Sequence, residues 1–152
     1  MMIRSKRTPT ALLLLLAAVL SGCAGAGETV SGDPGGVPPT SAFSQVQREI
    51  FDQQCNTASC HSSQNRAGGL SLASGEAWSQ LVGQPAENTI AAANGWNRVT
   101  ASDPDTSFLL KKLAGEVSGA EGSPMPVGTA GLRQADPAQY EMLRQWVLAG
   151  AP

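Results

Sequence analysis

Residues 55–61 read Cys55-Asn56-Thr57-Ala58-Ser59-Cys60-His61. The 152-residue chain holds three cysteines and one histidine, so two of its thiols and its sole imidazole fall in this one stretch. His61 follows Cys60 directly. Upstream, SAFSQVQREIFDQQ places Phe43, Val46, Ile50 and Phe51 at helical spacing, which predicts a helix from about Ala42 to Gln54 with Ser41 as its N-cap. Between the cysteines, Asn56–Ser59 reads as a polar, exposed bulge. Downstream, the glycines of Arg66-Ala67-Gly68-Gly69-Leu70 allow the backbone a tight turn.

Further out, MMIRSKRTPT is basic and ALLLLLAAVL at 11–20 is apolar. Ten residues rise only about 15 Å as a helix, roughly half a bilayer core, so this run is too short to span. A basic start, a short apolar middle and small residues at its end describe a secretory signal peptide over 1–22. Its end, Leu20-Ser21-Gly22-Cys23, resembles the lipobox of bacterial lipoproteins. The resemblance implies that Cys23 is lipidated and that the chain is exported, held to a bacterial membrane and faces the periplasm or outer membrane. The plainer alternative is a simple signal peptide with an incidental cysteine. Residues 24–40, AGAGETVSGDPGGVPPT, are rich in Gly and Pro and read as a flexible linker, which leaves 41–152 for one small domain.

Ten Lys+Arg oppose twelve Asp+Glu, a formal charge of -2, and three of the basic residues (Arg4, Lys6, Arg7) belong to the leader. No basic surface remains for nucleic acid. A domain of this size also excludes a large catalytic scaffold and a multi-pass membrane protein. Two more helices are expected. One follows Asp103-Pro104, with Asp as cap and Pro at N1, and carries Phe108, Leu109, Leu110 and Leu113. The other follows Asp136-Pro137, with Gln139 completing a capping box, and carries Tyr140, Leu143, Trp146 and Val147. A shorter helix is expected around Gly75–Val82, with Trp78 and Leu81. Strand-like alternation is almost absent. The fold expected is mostly α, three to four helices joined by long Gly/Pro-rich loops at 84–100 and 114–135. Loops of that length are either partly disordered or surround something that is not protein.

A Cys pair ending in Cys-His is the attachment pattern of haem c, normally C-x-x-C-H. Two thiols add across the two vinyl groups, and the adjacent imidazole is then held beneath the iron as its proximal ligand. Two other readings of the same residues stand beside it. Cys55 and Cys60 can pair as an ordinary disulfide in an oxidising compartment, with His61 at the surface. A zinc site has too few ligands nearby.

The stretch also resembles c-type cytochromes, and the similarity covers most of 42–150. As in small members of that family, a helix runs directly into the Cys-His motif, and an aromatic C-terminal helix, YEMLRQWVLAG, is available to cross it. GSPMPVG at 122–128 is similar to the loop that supplies the sixth ligand. DPDTSFLLKKL and MPVG…LRQWVLAGAP look especially like single-haem domains of planctomycete and deltaproteobacterial proteins. The departure is the spacing: four residues separate the cysteines instead of two, and the additional ones would bulge outward. The resemblance implies a cytochrome c-like fold around one covalent haem c, attached through Cys55 and Cys60 and ligated by His61 and Met125.

One histidine excludes bis-His ligation within the chain. Of the methionines, Met1 and Met2 leave with the leader and Met142 sits in the last helix, where packing is its expected role. Met125 lies between Pro124 and Pro126, which restrict the backbone on both sides. Its plainer alternative is a rigid surface turn. Iron ligated on both faces has no open position, so electron transfer to redox partner proteins is expected and enzymatic chemistry is not. The alternatives are a lipid-anchored interaction module with a Cys55–Cys60 disulfide and no haem, or a haem sensor or enzyme with an open distal face. Trp78, Trp96 and Trp146 are candidates for the cofactor wall or simply for the core. Arg98 and Trp96 are candidates to bind haem propionates. Lys111 and Lys112 would form either a docking rim or a solvated helix face.

Overall fold

A computed structural model describes residues 41–152; the leader over 1–22, the lipidation of Cys23 and the linker over 24–40, all expectations from the sequence, lie outside the described residues. The first helix forms, but it is wound in two ways. α1 spans Ser41–Val46, including the residue expected to cap it, and the chain continues as a π-helix over Gln47–Cys55. In this winding a backbone N–H reaches the carbonyl five residues back, as Asn56 N does to Phe51 O at 2.7 Å. Side chains follow the same count: Gln47 Nε2 donates to Asp52 Oδ1 at 2.7 Å, and Gln53 Nε2 to Arg48 O at 3.1 Å. The winding decides where Cys55 points. Val46 and Cys55 are about two and a half α-turns apart and would project from opposite sides of an α-helix. The wider turns put Cys55 with Val46, Ile50 and Phe51 against one core.

The other helices are short: α2 Ala77–Leu81, α3 Thr89–Ala93, α4 Phe108–Ala114, α5 Leu132–Ala135 and α6 Pro137–Leu148. The domain is mostly helical. Among the described residues extended pairing is confined to isolated bridges such as Val82 with Val99. α6 starts where expected, with the Asp136 side chain accepting from Gln139 N at 3.0 Å and Pro137 in the first turn. The Gln139 side chain does not close the box. It accepts from Gln54 Nε2 and donates to Glu49 O, which ties α6 to the π-helix. Inside that seam the Phe43 ring meets Trp146 at 5.1 Å and Phe51 at 6.3 Å between centroids, with Leu143 and Val147 fully buried beside them.

α4 starts later than expected. Asp103 Oδ1 accepts from Asp105 N and Thr106 N, so this carboxylate closes a turn and Pro104 lies inside it. Ser107 occupies the N-cap position, its hydroxyl bonded back to Asp103 O and Thr100 O. The two long loops are not unstructured. Residues 84–100 contain α3, whose Asn88 cap accepts from Ile90 N and Ala91 N, both at 3.0 Å. Residues 114–135 contain a 3-10 turn, Gly119–Glu121, and then α5. That second segment leaves and returns through one tight crossing. A Cβ on Gly115 would stand 2.1 Å from Ala130 O, and one on Gly131 2.7 Å from Leu113 O. Two glycines with positive φ let the backbones touch there, which sets α5 beside α4.

Candidate functional site

Between the π-helix, α4, α6 and the loops around 60–70 and 121–127 lies a cavity of about 550 Å³, within the range of small-molecule sites. Its walls are mainly apolar: Ile50, Phe51, Leu70, Leu81, Leu109, Leu113, Leu132 and Leu143 all face it. Cys55, Cys60, His61 and Met125 line it too. The four residues singled out in the sequence therefore meet around a single space.

Each is placed by a local cause. Cys55 closes the π-helix, half-buried against the core. Burial, with the neighbouring Cys60 charge as a smaller cause, pushes its thiol up to about 12. Thr57, Ala58 and Ser59 are exposed and Asn56 half-buried, so the intervening residues do form an outward bulge. The Cys60 thiol is lowered by hydrogen bonds from Thr57 and then Ser59. Both cysteines stand as free thiols. The bulge is closed by His61 N on Cys55 O at 3.1 Å and Cys60 N on Thr57 O at 3.0 Å.

His61 Nδ1 lies 3.3 Å from Leu70 O. A carbonyl only accepts, so Nδ1 is the donor in this pair, and Nε2 is not engaged by it. An imidazole held this way through its other nitrogen is oriented as metal-ligating histidines are. Ala67 and Gly68 continue the wall in a 3-10 turn, where Gly68 and Gly69 both take positive φ as the tight turn required.

Met125 is half-buried and packs on the core. Its N–H donates to Lys112 O at 3.0 Å, and its carbonyl accepts from Leu132 N at 2.9 Å, so both sides of the residue are fixed. The following peptide, Met125–Pro126, is cis. Met142, by contrast, packs on the core and does not line the cavity.

The remaining candidates divide between the cavity and the core. None of the three tryptophans lines the cavity. Trp78 and Trp146 donate through Nε1 to Ala151 O and Pro152 O, while Trp96 stacks edge-on against Phe108 in a separate cluster. Arg98 does line the cavity, yet its guanidinium is committed to Gln80 O, Gly69 O and Glu87 Oε1. Lys111 and Lys112 are half-exposed, and both side chains have partners within the domain. Lys111 is paired with Glu121 and lies 4.7 Å above the Trp96 ring; Lys112 donates to Ser123 O at 3.0 Å and lies 5.5 Å from the Phe108 centroid.

Glu121 was missed, although Ser118-x-x-Glu121 is the spacing of a capping box. Its carboxylate is buried at the cavity wall, accepting from Lys111 Nζ and from Ser118 N and Oγ. Lys111 first, and the Ser118 N–H after it, hold the carboxyl down at about 2. No protein-family model, no curated protein and no solved structure matches this chain.

Proposed function

We propose that residues 41–152 form a cytochrome c-like domain carrying one covalent haem c, and that the protein is a membrane-tethered electron carrier. One observation carries the reading: Cys55, Cys60, His61 and Met125, from two segments remote in sequence, border one apolar cavity. The residues fit the group. Two free thiols precede an imidazole whose Nδ1 proton is engaged by Leu70 O, which leaves Nε2 for iron. A thioether comes from a segment whose backbone is bonded on both sides.

Haem bound here would supply a one-electron Fe(III)/Fe(II) couple, and a His/Met ligand pair places its potential above that of a bis-His site. The chain's own residues do the rest. Cys55 and Cys60 would attach the group covalently, and His61 and Met125 would ligate its iron. The leucines and Phe51 exclude water, which lowers the reorganisation accompanying each electron. With both residues bound, the iron would offer no position for substrate, which favours transfer to and from redox partner proteins. The lipobox-like Cys23 would supply the tether.

The test is the visible spectrum of the full chain extracted from membranes of cells competent in c-type maturation. The expected result is the sharp bands of a low-spin covalent haem that survive acid–acetone extraction, with no carbon monoxide binding to the native ferrous protein. Met125→Ala should open the iron to carbon monoxide. Colourless protein from such cells overturns the proposal, and rapid carbon monoxide binding by the unmodified chain replaces it with an open-site haem protein.

A further inference from the structure

The two ends of Lys112 grip the segment that carries Met125. Its main-chain carbonyl accepts from Met125 N at 3.0 Å. Its ammonium crosses back over the Phe108 ring and donates to Ser123 O at 3.0 Å, two residues before the methionine. The intervening Gly122 makes room for this. With φ +85, a Cβ at that position would lie 3.0 Å from the Lys112 ammonium and from no other atom within 4 Å. The glycine therefore suits both a positive-φ, extended backbone (ψ -168) and a close-lying cation. The neighbouring lysine serves the same segment from further off, through Glu121 and the Ser118 capping box.

We infer that Lys112 is a positioning residue for Met125, fixing the depth of its thioether in the cavity, rather than a partner-docking charge. This rests on the reading of Met125 as an axial ligand, but the clamp itself does not depend on cofactor. A cation-to-carbonyl hydrogen bond is stronger than a neutral one, and this one spans the approach to the ligand. Removing it frees Ser123 and Pro124 while the Met125 N–H bond survives, so the ligand loosens without leaving. Lys112→Met keeps the length of the side chain and its contact with Phe108 but loses the donor. Lys112→Arg restores a donor.

The test compares the full chain with both variants, each first shown to keep the unmodified melting temperature within a few degrees. Amide hydrogen exchange at Met125 is read by NMR in haem-free protein. Carbon monoxide binding is read in haem-loaded protein. In Lys112→Met, Met125 exchange should rise roughly tenfold, as for loss of one charge-assisted bond, and ferrous haem should begin to bind carbon monoxide; Lys112→Arg should reverse both. Unchanged exchange in Lys112→Met overturns the inference. So does a rise shared equally by amides far from residues 121–132, because that would mark general loosening. Faster Met125 exchange in a chain that never acquires haem upholds the clamp and overturns the electron-carrier reading alone.

Discussion

Leu143→Ala separates a cavity that a cofactor fills from one that is merely present. Leu143 is fully buried on α6 and has one side against the core and the other against the cavity. Truncation removes three carbons, roughly 2.4 kcal/mol of transfer at ~0.8 kcal/mol each. Buried Leu→Ala changes span about 2.7–5.0 kcal/mol, the upper values arising where surrounding atoms cannot relax into the void. In the haem-free chain one side of Leu143 has few atoms to lose, because a gap contributes no dispersion contacts. The cost there should sit near the bottom of the range, about 2.5 kcal/mol. With haem attached, that side is packed as well, and the cost should rise to about 4 kcal/mol. The assay is urea unfolding followed by far-ultraviolet circular dichroism, on the haem-loaded chain and on a Cys55→Ala/Cys60→Ala chain, each with and without the substitution. Leu148→Ala, on the same helix but 39% exposed, is the control and should cost under about 1 kcal/mol in both. Equal costs for Leu143→Ala in the two backgrounds would refute the placement of haem beside α6.

Asp136→Ala removes the side chain that caps α6 and should cost about 1 kcal/mol, read as a lower urea midpoint with unchanged slope. Gly115→Ala should destabilise far more than Gly128→Ala, since both have positive φ but only the first drives a methyl into Ala130 O; thermal melts of the two variants decide it. Glu121 gives a pH signature. Its folded carboxyl is held at about 2, below the ordinary value near 4.5, so the Lys111–Glu121 contribution is complete above that ordinary value. It fades as pH falls toward 2. Glu121→Gln should therefore flatten the urea midpoint between pH 5 and 2, and a parallel loss in both proteins would show that other carboxylates govern acid unfolding.

The parts legible in the sequence were those whose cause is local. Asp136-Pro137 starts a helix through its own atoms, and Cys60-His61 keep their order whatever the fold. Met125 could be singled out because prolines flank it. Asp103-Pro104 carried the same signal as Asp136-Pro137 and misled, because Thr106 and Ser107 offered that carboxylate and carbonyl a turn to close instead. α3 escaped notice because TIAAA is too short and too uniform to show a period. The π winding was invisible for another reason: apolar residues at 43, 46, 50 and 51 suit an α-helix until the position of Cys55 is known. The tryptophans show the limit of residue type. A large indole announces burial, but whether against cofactor or core depends on partners such as Ala151, which lies 73 residues from Trp78. The partners of Lys111 and Lys112 were hidden for the same reason, since Glu121 and Ser123 face them from a segment without periodicity.

The wide helix ahead of Cys55 makes the length of this segment as informative as its composition. Excising one residue between Gln47 and Gln54 would let the backbone relax to ordinary winding, but Cys55 would then emerge about a quarter-turn away from Val46. Trimming Ala58, which is exposed, acts on the outside of the bulge and leaves that bearing intact. Anyone shortening the interval between the two sulfurs toward the commoner length should cut on the outside of the bulge and leave the helix untouched.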